Sequence, residues 1–271
     1  MPLAVCATPI GNLEDVTLRV LRELSEADLL LCEDTRRTRT LLSRHGVAAR
    51  LLSYHEHNEA KRTSELLPRL VGGERMALVT DAGLPCMSDP GQRLVAAAIE
   101  AGVPVTVLPG ASAVETALVA SGFAFERYQF IGYLPRGERA LGALWTELEA
   151  WPHAVVAFES PQRLPATLRS LASSLPEREV AVCRELTKSF EEVVRGHPSE
   201  VLSRFEAPPK GEITVVLAPF VASGEMTDDR AREAAAAVAE LVAAGLTRRD
   251  AAALVSRLTE LPRGRLYRQS L

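Results

Sequence analysis

The sequence is poor in aromatic residues, in cysteine and in long apolar runs. Tyr, Trp and Phe make up 5% of its 271 residues, too few for a broad surface on which nucleobases could stack. The four cysteines, Cys6, Cys32, Cys86 and Cys183, form no CxxC pair, and no histidine stands at ligand spacing from them. A zinc site is therefore not expected, and no metal is assigned. Cys6, Cys32 and Cys183 lie in apolar runs and read as small buried hydrophobes. No run approaches the ~20 apolar residues of a membrane span, so no membrane partner is expected. The opening residues MPLAVCATPIGN show neither a basic n-region nor a cleavage site, and the expectation is a soluble, cytoplasmic protein. GxGxxG and GxxxxGK[ST] are both missing, which argues against dinucleotide and P-loop nucleotide binding. The net charge of −4 argues against a protein that coats nucleic acid without specificity. It leaves room for a local basic patch on a structured target.

What is present is an alternation. Hydrophobic residues make up 47%, enough for one or two cores. Strand-like runs at 3–8, 28–32, 51–54, 75–80 and 105–108 alternate with helical patterns at 18–24, 38–44, 58–71, 92–101 and 112–121. Such alternation predicts an α/β fold with a largely parallel sheet. A turn-rich join, GYLPRGER, follows a strand-like run at 127–133. A second set then begins, with helices at 140–149 and 162–173 and strands at 154–158, 179–184, 192–195 and 212–218. The boundary falls between Ser121 and Pro135, which gives an N-terminal α/β domain over 1–122 and a C-terminal α/β domain over 123–220. An Ala- and Arg-rich helical tail covers 221–271, with helices at 228–244, opened by Thr227, and 247–258, then a last turn through Tyr267.

Ligands of α/β sheets bind outside the carboxyl ends of the strands. Four such places carry unusual loops: TPIGNLED, CEDTRRTR, TDAGLPCMSDPG and LPGASAVE. In the third, Asp81 offers a carboxylate to ribose hydroxyls or to an ammonium, and Gly83 lets backbone approach a flat ligand. Ser88 and Asp89 read as caps of the next helix, with Pro90 at its first position. In the fourth, Ser112 reads as the cap of the following helix. Acid without lysine suits S-adenosylmethionine, which has an adenosine, an ammonium and a sulfonium but no phosphate.

Taken together, VCATPIGNLEDVTLRV, LCEDTRRTRTLL, SYHEHNE, LVTDAGLPCMSDPG, LPGASA, GYLPRGER, FESPQR and RELTKSFEE occur in an order that resembles the tetrapyrrole-methylase-like (class III) S-adenosylmethionine-dependent methyltransferases. The closest likeness is to the branch that methylates the 2′-oxygen of a cytidine, number 1402, in the decoding centre of 16S ribosomal RNA. It covers about residues 3–218, and the ending RGRLYRQSL is also similar. The resemblance implies two α/β domains with the cofactor cleft between them, a homodimer, and 16S RNA of the 30S subunit as partner. Carried onto this chain, the cofactor residues are Pro9, Gly11, Asn12, Asp81, Ala82, Gly83, Cys86, Met87, Ser112 and Ala113, with Tyr133 and Leu134 added by the second domain. Gln162 stands in FESPQR where the family pattern has His, and Thr80 stands where it has Ser.

In-line methyl transfer to a ribose hydroxyl asks for alignment and for a group that takes or orients a proton. Glu33 and His55 are candidates for the proton, and Lys188 is a third catalytic candidate, by lowering the hydroxyl pKa or pairing with phosphate. Arg36, Arg37 and Arg39 are candidates for RNA phosphate, and Tyr54, like Tyr133, for stacking. Arg136, Arg139 and the basic stretch 263–268 extend the possible footprint. Each has a plainer reading: Asp34 with Thr35 as a helix cap, His57 with Asn58 as a helix-start turn, Lys188 as a salt bridge to Glu185 or Glu191, and the tyrosines as core. Two other functions compete. One is methylation of a small tetrapyrrole-type substrate; the other is a noncatalytic module for an adenine nucleotide.

Overall fold

Four apolar residues in a row, Leu29–Cys32, can bury both faces of a strand only where helices cover the sheet on both sides. The computed structural model, which describes residues 2–220, 228–259 and 266, has that arrangement. Strands β1 (Leu3–Cys6), β2 (Leu29–Cys32), β3 (Leu51–Ser53), β4 (Met76–Leu78) and β5 (Val105–Leu108) form one sheet in the order β3-β2-β4-β1-β5. Every pairing in it is parallel. Helices α1 (Leu18–Glu26), α2 (Thr35–Arg44), α3 (Glu59–Val71) and α4 (Gln92–Glu100) connect these strands. Thr17 caps α1 by accepting from the Val20 N–H, and Asp34 caps α2 by accepting from the Arg36 N–H. Helix α2 thus starts three residues before the sequence expectation, at Thr35.

The second sheet is mixed. Strands β6 (Tyr128–Tyr133), β7 (Ala154–Glu159), β8 (Val180–Arg184), β9 (Glu192–Gly196) and β10 (Ile213–Leu217) lie in the order β6-β7-β10-β8-β9, and only β6 with β7 is parallel. Helices α6 (Glu138–Glu149), α7 (Leu164–Ser174) and α8 (Pro198–Arg204) pack on it. Seven-residue α8 was not foreseen: Pro198 and two serines disguise a helix begun at His197, where Glu200 accepts from the His197 N–H. At the far end, Arg178 is fully buried and donates to the carbonyls of Leu148, His153 and Ala218, fastening the α6–β7 connection to the end of β10.

Helix α5 (Ala113–Ala120) follows the last strand of the first sheet but lays Val114, Ala117 and Leu118 on the second, among Ala154, Val156, Ala181 and Val216. Arg195 of β9 donates to the carbonyls of Ala120 and Ser121 at its end. The lobes also meet at Gly11: a Cβ there would stand 2.5 Å from Lys188 Cγ, 2.8 Å from Thr187 Oγ1 and 2.9 Å from the Leu186 carbonyl oxygen. The neighbouring Asn12 N–H donates to Thr187 Oγ1 at 3.0 Å.

The chain divides into two compact units, Met1–Phe220 and Val221–Leu271. In the second, α9 (Asp228–Ala243) and α10 (Arg248–Thr259) bury Val238, Ala251, Ala252 and Val255 between them. Gly245, at φ +101, ends the first helix, and Thr247 caps the second by accepting from the Asp250 N–H. Thr227, Tyr267 and the basic stretch 263–268 lie outside the described residues. Among the described residues, no helix is long and apolar enough to cross a membrane.

Candidate active site

The strands β4, β1 and β5 lie side by side, and the loops leaving their carboxyl ends surround a cleft of about 470 Å³. The second lobe closes the other side with Tyr133, Phe158, Pro161, Leu186 and the 211–214 segment. Of the twelve residues assigned to a cofactor, Asp81, Ala82, Gly83, Met87, Ser112, Ala113 and Tyr133 line this cleft. Pro9, Gly11, Asn12, Cys86 and Leu134 are not part of its wall. From the TPIGN loop only Ile10 reaches it, because Gly11 and Asn12 are engaged with Thr187. Leu134 is 3% exposed and belongs to the core of the second lobe.

Backbone geometry shapes the floor. Thr8 and Gly83 exchange hydrogen bonds of 2.8 and 3.0 Å, and the Thr8 hydroxyl donates to the Thr80 carbonyl. Gly83 takes φ +79, a left-handed conformation natural to glycine. Gly110 lies so near β1 that a Cβ would come within 2.9 Å of the Ala7 Cβ. The loop 80–91 does not cap α4 as expected. The helix starts only at Gln92, preceded by Gly91 at φ +133, while Ser88 is held at φ 65 and Asp89 lines the cleft. Pro90 resembles a first helical residue in sequence, but the turn through Gly91 postpones the helix. Ser112 does occupy the position before α5, yet its hydroxyl donates to the Glu115 carboxylate and caps no backbone group.

Three carboxylates, Asp81, Asp89 and Glu115, stand on a first-lobe wall that is otherwise mostly apolar or small, and Glu33, His55 and Lys188 are not part of it. Asp81 accepts from the Asp34 N–H at 3.0 Å and pairs with Arg37 at 3.4 Å. The Thr80 hydroxyl stands 3.4 Å from Glu33 Oε2 and also bonds Asp89. One hydroxyl has one proton to give, so the two acids compete for it. Burial, then the charge of Asp81, raises the Glu33 pKa against the Thr80 bond. Burial also raises Asp89, to about 6; the Thr80 bond opposes this, and Glu33 and Asp81 add to it. The structure therefore draws Asp89, read in sequence as a helix cap, into the same acidic group as Glu33.

His55 lies beside this group. Asn58 Oδ1 accepts from the His55 N–H, which fixes the amide so that Nδ2 donates to His55 Nε2 at 3.1 Å. His55 Nδ1 then carries the proton and is buried with no partner. Lys188 takes the plainer of its two readings, a salt bridge to Glu185, with Glu212 as a second partner. Its ammonium is 2.8 Å from both Glu185 and Glu212, while Glu191 accepts from the Thr187 N–H instead. Burial lowers its pKa, but the two carboxylates outweigh that and leave it raised, so it is a fixed cation rather than a base.

Arg36 folds back onto Asp34 with a bidentate pair of 3.1 and 2.7 Å, and its side chain remains 86% exposed. Its guanidinium holds the Asp34 carboxyl far below the usual range. Arg39 is exposed on the same helix. Tyr54 must be withdrawn as a stacking residue: it has no exposed surface, and its hydroxyl meets Thr63 Oγ1 at 3.0 Å in the core of the first lobe. Gln162 is exposed in the turn before α7, next to the cleft-lining Pro161. Sequence reasoning missed Arg37 as a cleft residue, Glu115 and Glu212. Only the folding of α5 and the 211–214 segment onto the cleft brings the last two there.

A cleft built in this way, between a parallel sheet and a mixed one, defines a class. Residues 2–202 match the family model described as Tetrapyrrole (Corrin/Porphyrin) Methylases, and the chain belongs to that family of methylases. A solved uroporphyrin-III-C-methyltransferase from Thermus thermophilus has the same fold at 20% identity and a TM-score of 0.56, over 80% of this chain and 94% of that one. Among curated relatives, a Ribosomal RNA small subunit methyltransferase I of Micromonospora olivasterospora is 43% identical over 270 residues, 98% of this chain and 85% of that protein. One of the same name from Halalkalibacterium halodurans is 46% identical over 176 residues, 65% of this chain, and the match spans 61% of that relative's length.

Proposed function

We propose that this chain transfers a methyl group from S-adenosylmethionine to ribosomal RNA of the small subunit, and that the acceptor is the 2′-oxygen of a cytidine. The observation that carries the reading is the cleft: a largely apolar pocket with three carboxylates and glycine-shaped loops, in a chain whose near full-length relative bears the ribosomal RNA name. A volume of about 470 Å³ lies within the roughly 300–1,000 Å³ of small-ligand sites. The first-lobe wall offers Asp81, Asp89 and Glu115, and among the described residues its one cation, Arg37, is paired with Asp81. That chemistry fits a cation-bearing donor with ribose hydroxyls better than a pyrophosphate.

S-adenosylmethionine, when bound, supplies a methyl group on a positively charged sulfur. The residues do the rest. Asp81 receives ribose hydroxyls or the ammonium, and the Arg37 pair moderates its charge. Too strong a hold on the sulfonium would be lost in the transition state, where that charge disappears. Ala82, Gly83, Met87, Ser112 and Ala113 shape the adenosine side, with Tyr133 facing them. Gly11 and Asn12 hold the lobes in register through Thr187. Glu33 takes or orients the hydroxyl proton, a role worth about 10²–10⁴-fold, and His55, whose Nε2 is held by the Asn58 amide, serves to orient it. Lys188 supplies fixed positive charge beside Glu212. Arg36, Arg37 and Arg39 on α2 face RNA phosphate. The domains divide at about residue 122, and the chain works in the cytoplasm as a homodimer on the 30S subunit.

Mass mapping of 16S RNA from cells with and without this protein tests the reading. One cytidine should lose its 2′-O-methyl group when the protein is absent. An unchanged map, with labelled methyl passing to a porphyrinogen instead, would move the assignment to small tetrapyrroles. Single replacements of Glu33, His55 and Lys188 by Ala should each lower turnover more than donor affinity. Wild-type turnover in all three would remove them from the chemistry.

A further inference from the structure

A second recess, of about 370 Å³, adjoins the cleft and shares Tyr133 with it. Its other walls are Leu134, Arg136, Ser160 and Arg163. A bulge in β6 makes this possible. The pairing of β6 with β7 is regular through Phe130 and shifts before Tyr133, with Gly132 between them at φ +70. Bulges re-aim the side chains that follow them. Here the ring of Tyr133 stands 63% exposed, its edge against Phe158 at 5.5 Å, as the partition between the two cavities.

The two arginines of the recess differ in their freedom. Arg163 is committed: it pairs with the buried Glu159 at 2.5 Å and donates to the carbonyls of Leu134 and Pro135, so it holds the wall in place. Among the described residues, Arg136 makes no hydrogen bond or ion pair, and neither does the Ser160 hydroxyl. An exposed aromatic face, a free guanidinium and a free hydroxyl around one depression are the parts that bind a single-stranded nucleotide.

We infer that this recess receives the nucleotide adjacent to the one being methylated, its base on the Tyr133 ring and its phosphate on Arg136 and the Ser160 hydroxyl. The inference rests on the RNA reading above. It gives the second lobe a part in substrate choice, because a small tetrapyrrole has no neighbouring phosphate to place there. Guanidinium binds phosphate with paired donors, so lysine would be a poor replacement for Arg136.

The test uses the full chain, small ribosomal subunits and labelled donor, with KM for subunits measured at several salt concentrations. Calorimetry gives donor affinity separately. Arg136→Glu should raise KM for subunits about ten-fold and leave donor affinity unchanged. Arg136→Ala should lower the slope of log affinity against log salt by about 0.7, the share of one single-strand phosphate contact. Tyr133→Ala should lose about ten-fold or more in KM, and Tyr133→Phe, which keeps the ring, should recover most of it. If wild-type chain methylates subunits and Arg136→Glu matches it in KM and salt slope, the recess is not a nucleotide site. If wild-type chain transfers nothing to subunits, the functional reading fails and this inference falls with it.

Discussion

Asp89 behaves unlike an ordinary surface aspartate. Burial, with Glu33 and Asp81 close by, raises its pKa to about 6 from 3.8, although Thr80 gives it a hydrogen bond. Between those two values the folded chain holds a proton that the unfolded chain has released, so folding stability falls as pH rises through about 6. This is the reverse of a salt-bridged aspartate. Asp89→Asn should therefore be more stable than wild type at pH 7 and should flatten the dependence of stability on pH between 4 and 7. Urea unfolding at four or five pH values measures it. A variant whose stability runs parallel to wild type across that range would show that Asp89 does not titrate there. The chemical counterpart is that Asp81 raises the tendency of both Glu33 and Asp89 to hold a proton, and Glu33 adds to that of Asp89, so the group takes one up more readily than an isolated carboxylate as pH falls.

At the scale of elements, the chain's periodicity carried most of the fold. Continuous apolar runs such as LLLC and alternating helices marked out β1 to β5 and α1 to α4 within a few residues. What periodicity could not carry was partnership. Helix α5 reads as the last helix of the first sheet and packs on the second, because its apolar face fits the surface of β7 and β10 equally well in composition. The second sheet turns mixed because one short connection, at 185–191, reverses the chain between β8 and β9, and the crossover through α8 then lays β10, running in the direction of β9, between β7 and β8. Loop residues were legible by type and not by direction. Asp81 and Gly83 face the cleft as expected, whereas Gly11, singled out for the same purpose, is the tightest joint between the lobes. Gly11→Ala should drive its Cβ into Lys188, Thr187 and the Leu186 carbonyl, one of which is backbone and cannot yield. Overpacking of this sort costs about 1–3 kcal/mol. The melting temperature should drop by several degrees, and donor affinity should fall as the lobes part. A variant with wild-type melting and wild-type donor binding would mean that the joint is slack.

At the scale of the molecule, a donor that touches both lobes should hold them together. At a concentration one hundred times its Kd, a ligand specific to the folded state adds about 2.7 kcal/mol. For a unit of about 220 residues that is a rise in melting temperature of roughly 5–10 °C. S-adenosylmethionine should give this rise, and NAD and ATP at the same concentration should not. A larger shift with either phosphate compound would overturn the cofactor assignment. The same view of the whole shows where conformational energy is kept. Among the described residues, Cys86, Ser88, Glu185 and Thr187 are the non-glycine residues with left-handed backbone, and they fall in two loops, 80–91 around the cleft and 185–191 behind it. Such positions cost of order 1 kcal/mol or more each. Glycine at Ser88, which is exposed, would relieve the strain while freeing a loop that shapes the cleft, whereas at Glu185 or Thr187 it would also remove the Lys188 pair or the Asn12 bond. A population selected only to survive heating should therefore collect glycine at Ser88 before it does so at Glu185 or Thr187, and the survivors should be sturdy and slow.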